Sequence, residues 1–220
     1  MIQLQNTHTT IDATDVKCLR EEFVKGRCAV LRELVPQSVL RSIWRRLEVG
    51  SWREDAHKDI AVEQTLDQDD GIIHWLHMLV NRRSFLDLVS RITESTPLTT
   101  FHGRVYRLMP NSGHFDSWHG DCTCGRVVGM SVNLSQQVYS GGVFQLRHRS
   151  TQEMLKEVAN IGFGDAAIFQ ISPTLEHQVT ETVGLHGRTA FAGWFLSGPT
   201  NHLQSIANTN DVGTSGAPTG

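Results

Sequence analysis

Three places in this chain carry the pattern His-x-Asp: His57/Asp59, His114/Asp116 and His119/Asp121. On a β-strand, residues i and i+2 share a face. Each pair can therefore present an imidazole and a carboxylate together to one metal ion. Two histidines and one carboxylate on one face of an octahedron leave three positions open, the arrangement that suits oxygen chemistry at non-haem Fe(II). The third ligand must come from elsewhere. His177 opens the run His177-Gln-Val-Thr-Glu-Thr-Val183, and Arg188 opens Arg188-Thr-Ala-Phe-Ala-Gly-Trp-Phe195. Between them Gly184-Leu-His-Gly187 reads as a hairpin connection. Two adjacent antiparallel strands would thus carry a histidine and a guanidinium into one interior. Arg188 shares its strand face with Ala190 and Ala192, whose small side chains leave room for a ligand. An arginine binds a carboxylate through two parallel hydrogen bonds. A small dicarboxylate held by metal at one end and by Arg188 at the other is the picture these residues suggest.

The elements that must position these residues fall into two parts. Up to about residue 98 the chain is mostly α. Helices are expected over Asp12–Lys25, Gln37–Glu48, Ile72–Val80 and Ser84–Ser95, from apolar residues spaced three and four apart. Pro36 and Gly50 punctuate the second. Cys28–Leu31 is a short β-like run, and residues 51–71 read as charged and irregular. From residue 99 six β-like runs follow: Thr99–Leu108, Val127–Ser135, Gly142–Arg147, Ala166–Ile171, His177–Val183 and Thr189–Leu196. Ser150-Thr-Gln-Glu153 reads as a capping box for one short helix. The expected fold class is α+β: a helical N-terminal portion (1–98) packed on a strand-rich core (99–197), with a Gly/Ser/Thr-rich tail (198–220).

Composition excludes several classes. The chain has 220 residues, 39% of them hydrophobic, and a formal net charge of −3. That is enough apolar content for a core, and no apolar run approaches the roughly 18 residues of a membrane span. The N-terminus is polar and lacks a signal-like apolar stretch. A slightly acidic balance argues against a protein whose main task is gripping phosphate backbones. The four cysteines, Cys18, Cys28, Cys122 and Cys124, do not form a disulfide pattern, and a cytoplasmic location would keep them reduced.

The ordered series Trp118-His-Gly-Asp121, Ser140-Gly-Gly-Val-Phe144, Gly164-Asp-Ala-Ala-Ile-Phe169, His177-x-Val179 and Gly187-Arg188, with Trp194 behind, resembles the 2-oxoglutarate- and Fe(II)-dependent oxygenase superfamily. The likeness is to its prolyl-4-hydroxylase-like branch and covers roughly residues 100–196. It implies a double-stranded β-helix (jelly-roll, cupin-like) core and an iron triad of His119, Asp121 and His177. It also implies Arg188 as partner of the remote carboxylate of 2-oxoglutarate. The reaction implied is hydroxylation of an unactivated C–H of a small-molecule, amino-acid or peptidyl substrate, with O2 as cosubstrate and release of succinate and CO2. A carboxylate at Asp121, where related halogenases carry Gly or Ala, favours hydroxylation. Asn133, Tyr106 (or Arg107, on the opposite face) and Val179 are the further candidates for the cosubstrate pocket. His114/Asp116 is the rival ligand pair and otherwise belongs to the pocket rim. His57/Asp59 reads as a solvated surface pair. Two alternatives remain open: an AlkB-like nucleic-acid demethylase on the same core, and a non-catalytic cupin-like protein binding a metal or ligand.

Overall fold

Alternation along the strands divides the apolar residues of this protein between two layers. On β15 (Arg188–Ser197), Phe191 and Phe195 face one way, while Arg188, Ala190, Ala192 and Trp194 face the other. The computed structural model describes residues 2–4, 9–10, 12–58, 60–123, 125–159 and 162–198. Four helices occur there: α1 (Ala13–Gly26), α2 (Gln37–Val49), α3 (Gly71–Val80) and α4 (Arg83–Thr93). Asp12 caps α1 by accepting from the Thr14 amide at 2.8 Å, and Asp70 caps α3 by accepting from the Ile72 amide at 2.9 Å.

The remaining strands are β1 (Gln3–Leu4), β2 (Thr9–Thr10), β3 (Cys28–Leu31), β4 (Trp52–His57), β5 (Ala61–Leu66), β6 (Leu98–Leu108), β7 (Phe115–His119), β8 (Arg126–Asn133), β9 (Ser140–Gly141), β10 (Phe144–His148), β11 (Met154–Val158), β12 (Ala166–Gln170), β13 (Leu175–Val179) and β14 (Thr182–Val183). Eleven strands form one antiparallel sheet in the order β11-β10-β13-β7-β5-β6-β15-β8-β12-β3, with β4 added beside β5. The sheet folds over on itself. The outer face of its β6-β15-β8-β12-β3 half packs against the four helices through Phe101, Val105, Met130, Ile168, Phe191 and Phe195. Its inner face closes on a second cluster that includes Tyr106, Leu108, Phe144, Phe169, Val179 and Ala190. This is the double-stranded β-helix, or jelly roll, in an α+β chain. Among the described residues no helix is long and apolar enough to cross a membrane.

Three local expectations are corrected. Residues 51–71 are not irregular: β4 and β5 pair as a hairpin, and β5 joins the barrel sheet through β6 and β7. The inward positions of β5 are Ala61, Glu63 and Thr65. A glutamate in that row hides the apolar alternation, and its burial is compensated by a 2.6 Å contact with Arg104. Ser150–Glu153 is the turn between β10 and β11, not a helix; Gln152 adopts a left-handed φ of 60° there. The run after His177 breaks into β13 and β14. Cys28 is buried, which pushes its thiol up to about 12, so it is an inert core group. Asp59, Cys124 and the tail from residue 199 lie outside the described residues.

At one point the central ladder leaves no space. Gly193 on β15 is opposite Gly103 on β6, and a Cβ at Gly193 would run into the backbone carbonyl of His102. Gly193→Ala is expected to cost about 1–3 kcal/mol in a denaturant melt. Leu185→Ala, at a side chain 90% exposed, is expected to stay within about 0.5 kcal/mol.

Candidate active site

Two cross-strand neighbours begin the site. His119, the last residue of β7, is in register with His177 of β13, and their ring centroids are 4.3 Å apart. The chain leaves the strand after His119, and Asp121 turns back between the two imidazoles. Its Oδ1 is 3.8 Å from His119 Nε2 and its Oδ2 is 3.6 Å from His177 Nε2. One donor atom from each of the three lies within 4.8 Å of the others, which places them around a common point.

The protonation of these groups follows from their partners. His119 Nδ1 is 2.7 Å from the Ser117 carbonyl oxygen, which can only accept. Nδ1 therefore carries a proton, so that in the neutral ring the lone pair sits on Nε2. His177 is packed against Phe169 and Phe144. Burial pushes its pKa down to about 4, His119 adds to the push, and Asp121 opposes it. His177 is thus neutral at neutral pH, the form that ligates. Asp121 Oδ2 accepts a hydrogen bond from the indole Nε1 of Trp194. Arg126 stacks 3.5 Å over that indole and lies 3.7 Å from Asp121 Oδ1. Two imidazoles that can each offer Nε2 and a braced carboxylate are a donor set that fits a divalent transition metal.

The three donors open onto a cavity of about 330 Å³. Phe144, Phe169, Val179 and Ala192 supply apolar wall, and Tyr106, Arg104, Glu63 and Asp116 supply polar wall. Behind Tyr106 sits Arg188, 4% exposed. It donates to the Tyr106 hydroxyl and, at 2.9 Å, to Ser131 Oγ. Among the described residues no carboxylate forms an ion pair with this buried guanidinium. Burial raises the pKa of Tyr106, so the phenol stays neutral.

The sequence-expected residues are placed as follows. His119, Asp121 and His177 come together, and Val179 walls the same cavity. Of the neighbours on β6, Tyr106 faces inward; Arg107 faces outward, stacked 4.1 Å over Trp52 and bonded to Gln64. Asn133 shares the inward row with Ser131 but is not on the cavity wall. Its amide donates to the Gly162 carbonyl and accepts from the Ser135 amide, bracing a loop. His114 is buried elsewhere, its Nδ1 accepting from the Met109 amide, so the rival pair does not assemble. Asp116 alone of that pair reaches the cavity. His57 sits at the mouth, 4.0 Å from Glu63. Sequence reasoning missed Ser131 as a partner of Arg188 and the indole of Trp194 as a donor to Asp121. It also missed the Glu63–Arg104 pair, which lies on a hairpin it had not found.

No family model matches this sequence, and no curated protein does. Solved structures do match. A Pseudomonas putida prolyl-4-hydroxylase superposes with a TM-score of 0.63 at 17% identity, over 84% of this chain and all of that one. A Trichoplax adhaerens prolyl hydroxylase, solved with a hypoxia inducible factor peptide fragment, gives 0.59 at 17% over 85% and 94%. The non-heme alpha ketoglutarate dependent epimerase SnoN from nogalamycin biosynthesis gives 0.65 at 14% over 94% and 93%. A second SnoN structure, in complex with Fe3+, alpha ketoglutarate and nogalamycin RO, gives 0.62 at 12%. At these identities the likeness establishes the fold. The chain is therefore a double-stranded β-helix protein, and its barrel holds a two-histidine, one-carboxylate cluster.

The indole of Trp194 gives this cluster a test of its own. Trp194→Phe keeps the ring's bulk but removes the donor to Asp121. Co(II) titration followed by visible absorption is expected to show affinity lower by about 10–100-fold. Unchanged affinity would mean that the indole does not hold the carboxylate in place.

Proposed function

We propose that this chain is an Fe(II)- and 2-oxoglutarate-dependent dioxygenase that hydroxylates a C–H bond of a small-molecule, amino-acid or peptidyl substrate. The observation that carries the reading is the pairing of two features in one barrel. A His–Asp–His donor set opens onto the cavity, and a buried guanidinium without an ion-pair partner among the described residues stands behind Tyr106. A buried cation without an anion is expensive. The remote carboxylate of 2-oxoglutarate would supply that anion, as the bound alpha ketoglutarate and iron of the SnoN complex lead one to expect for this fold.

His119, Asp121 and His177 would hold the metal through Nε2, one carboxylate oxygen and Nε2. When bound, Fe(II) with 2-oxoglutarate and O2 supplies the chemistry: one oxygen atom goes to succinate, CO2 leaves, and the other oxygen enters the substrate C–H as hydroxyl. The chain's residues do the rest. Arg188 orients the cosubstrate by charge-assisted hydrogen bonds, and Tyr106 and Ser131 hold the guanidinium in that orientation. Phe144, Phe169 and Val179 keep water from the metal-facing wall. Ala192 leaves the room that a bulkier residue on β15 would fill. Asp121 would give the metal its third protein ligand, which favours oxygen transfer over delivery of another anion.

Anaerobic addition of Fe(II) and 2-oxoglutarate should produce a weak visible charge-transfer band, lost in His119→Ala. No band in the wild type would overturn the assignment in favour of a non-catalytic barrel, and a band retained in His119→Ala would overturn the ligand set. Arg188→Ala removes charge-assisted bonds of about 1.5–3 kcal/mol, so the 2-oxoglutarate concentration for half-maximal succinate release should rise at least about tenfold. An unchanged value would remove Arg188 from the site.

A further inference from the structure

A regular strand would place Asp116 and His119, three residues apart on β7, on opposite faces. They share a face because the ladder to β13 is irregular: His119 is opposite His177, but Asp116 is opposite Val179. Three steps on β7 match two on β13, the count of a β-bulge. The extra residue turns Asp116 inward, where it lines the cavity with its Oδ1 3.3 Å from His119 Nδ1. That oxygen is cut off from solvent and accepts no hydrogen bond among the described residues. The side chain as a whole is 14% exposed. Arg104, a cation on the same wall, is engaged by Glu63 at 2.6 Å. Asp116 is therefore a buried carboxylate whose cost is not repaid by any hydrogen bond to Oδ1.

We propose that Asp116 is a positioning residue for the metal centre. Turned inward by the β7 bulge, its carboxylate acts through the Nδ1 side of His119 to hold the imidazole with Nε2 facing the metal, and it supplies negative charge that a divalent cation balances. The Nδ1–H is directed at the Ser117 carbonyl at 2.7 Å, and the carboxylate flanks the same N–H. Outer partners of this kind fix the ring and raise the basicity of the ligating nitrogen. This inference rests on the metal reading of His119, Asp121 and His177, and extends it to a residue outside the ligand set.

The role has two signs that a merely structural residue would not show. Asp116→Asn keeps the shape and removes the charge. Metal affinity, measured by Co(II) titration, should fall by about 10–100-fold. The thermal midpoint of the metal-free protein should stay the same or rise, since a buried charge with no hydrogen bond to its Oδ1 is gone. Asp116→Ala is the second variant and should show the same two signs. Unchanged Co(II) affinity overturns this inference alone. A loss of affinity matched by a loss of metal-free stability also overturns it, because the residue then serves the fold. A wild-type chain that binds no Co(II), or a His119→Ala variant that binds as well as wild type, overturns the reading of the site and this inference with it.

Discussion

Strand β15 is paired on both sides. Phe191 is opposite Val105 of β6 and Val132 of β8, and Ala190 is opposite Tyr106 and Asn133. A strand held by two neighbours cannot slip by one residue without exchanging its two faces. Here the exchange would drive Arg188 toward the helices and Phe191 and Phe195 into the barrel. Phe191 and Phe195 are fully buried and lie 5.4 and 4.8 Å from the ring of Phe101. The apolar core on the helix side thus enforces the register that delivers a charge to the barrel side. Packing energy on one face maintains an electrostatically costly arrangement on the other.

The same logic explains why part of the site was legible in the sequence. β13 and β15 keep regular alternation at the positions that matter, so His177 with Val179, and Arg188 with Ala190 and Ala192, could be assigned to shared faces by counting in twos. The family resemblance carried by the ordered motifs around Trp118–Asp121 and Gly187–Arg188 implied His119, Asp121 and Arg188 as its companions, and the structure brings His119 and Asp121 together with His177. Short strands behind a helical portion pointed to an α+β chain closing as a jelly roll, and the resemblance implied the double-stranded β-helix. Tyr106 and Arg107 could not be ranked by counting, since alternation says that they differ and not which points inward. The structure resolves this through the outward neighbour Trp52, which takes the Arg107 guanidinium.

What was illegible lies where polar groups occupy inward positions or where the count breaks. β5 presents Ala61, Glu63 and Thr65 to the interior, a row that no apolar pattern would single out. Its partner Arg104 is far away in sequence, so the pair that makes Glu63 tolerable is visible only in three dimensions. Asn133 satisfied the rule for its strand, yet Gly162 and Ser135 occupy its amide. Alternation chose the row correctly but could not say how far toward the centre the row extends. On β7, alternation groups Asp116 with His114 and separates it from His119. The bulge reverses this, so a rival ligand pair in the sequence became one inward carboxylate and one unrelated core histidine.

Charge inside the barrel shows why these pieces belong together. Glu63 and Arg104 cancel at contact distance. Near the two imidazoles stand Asp116 and Asp121, and among the described residues Arg126 is the cation that pairs with Asp121, at 3.7 Å. Behind Tyr106 stands Arg188, whose hydrogen-bond partners among the described residues are two hydroxyls. The interior is therefore short of positive charge at one end and of negative charge at the other. These imbalances act on one another: burial pushes the Asp116 carboxyl up to about 6, while His119, Arg188 and Arg104 draw it back down. Moving a side chain cannot cure both, because β15 fixes Arg188 and the β7 bulge fixes Asp116. A divalent cation alone would relieve one end and add repulsion to the other, and a small dianion alone would do the reverse. Bound together they neutralise both, so binding of each should favour binding of its companion. Reciprocal coupling of this kind would be a consequence of where the fold buries its charges.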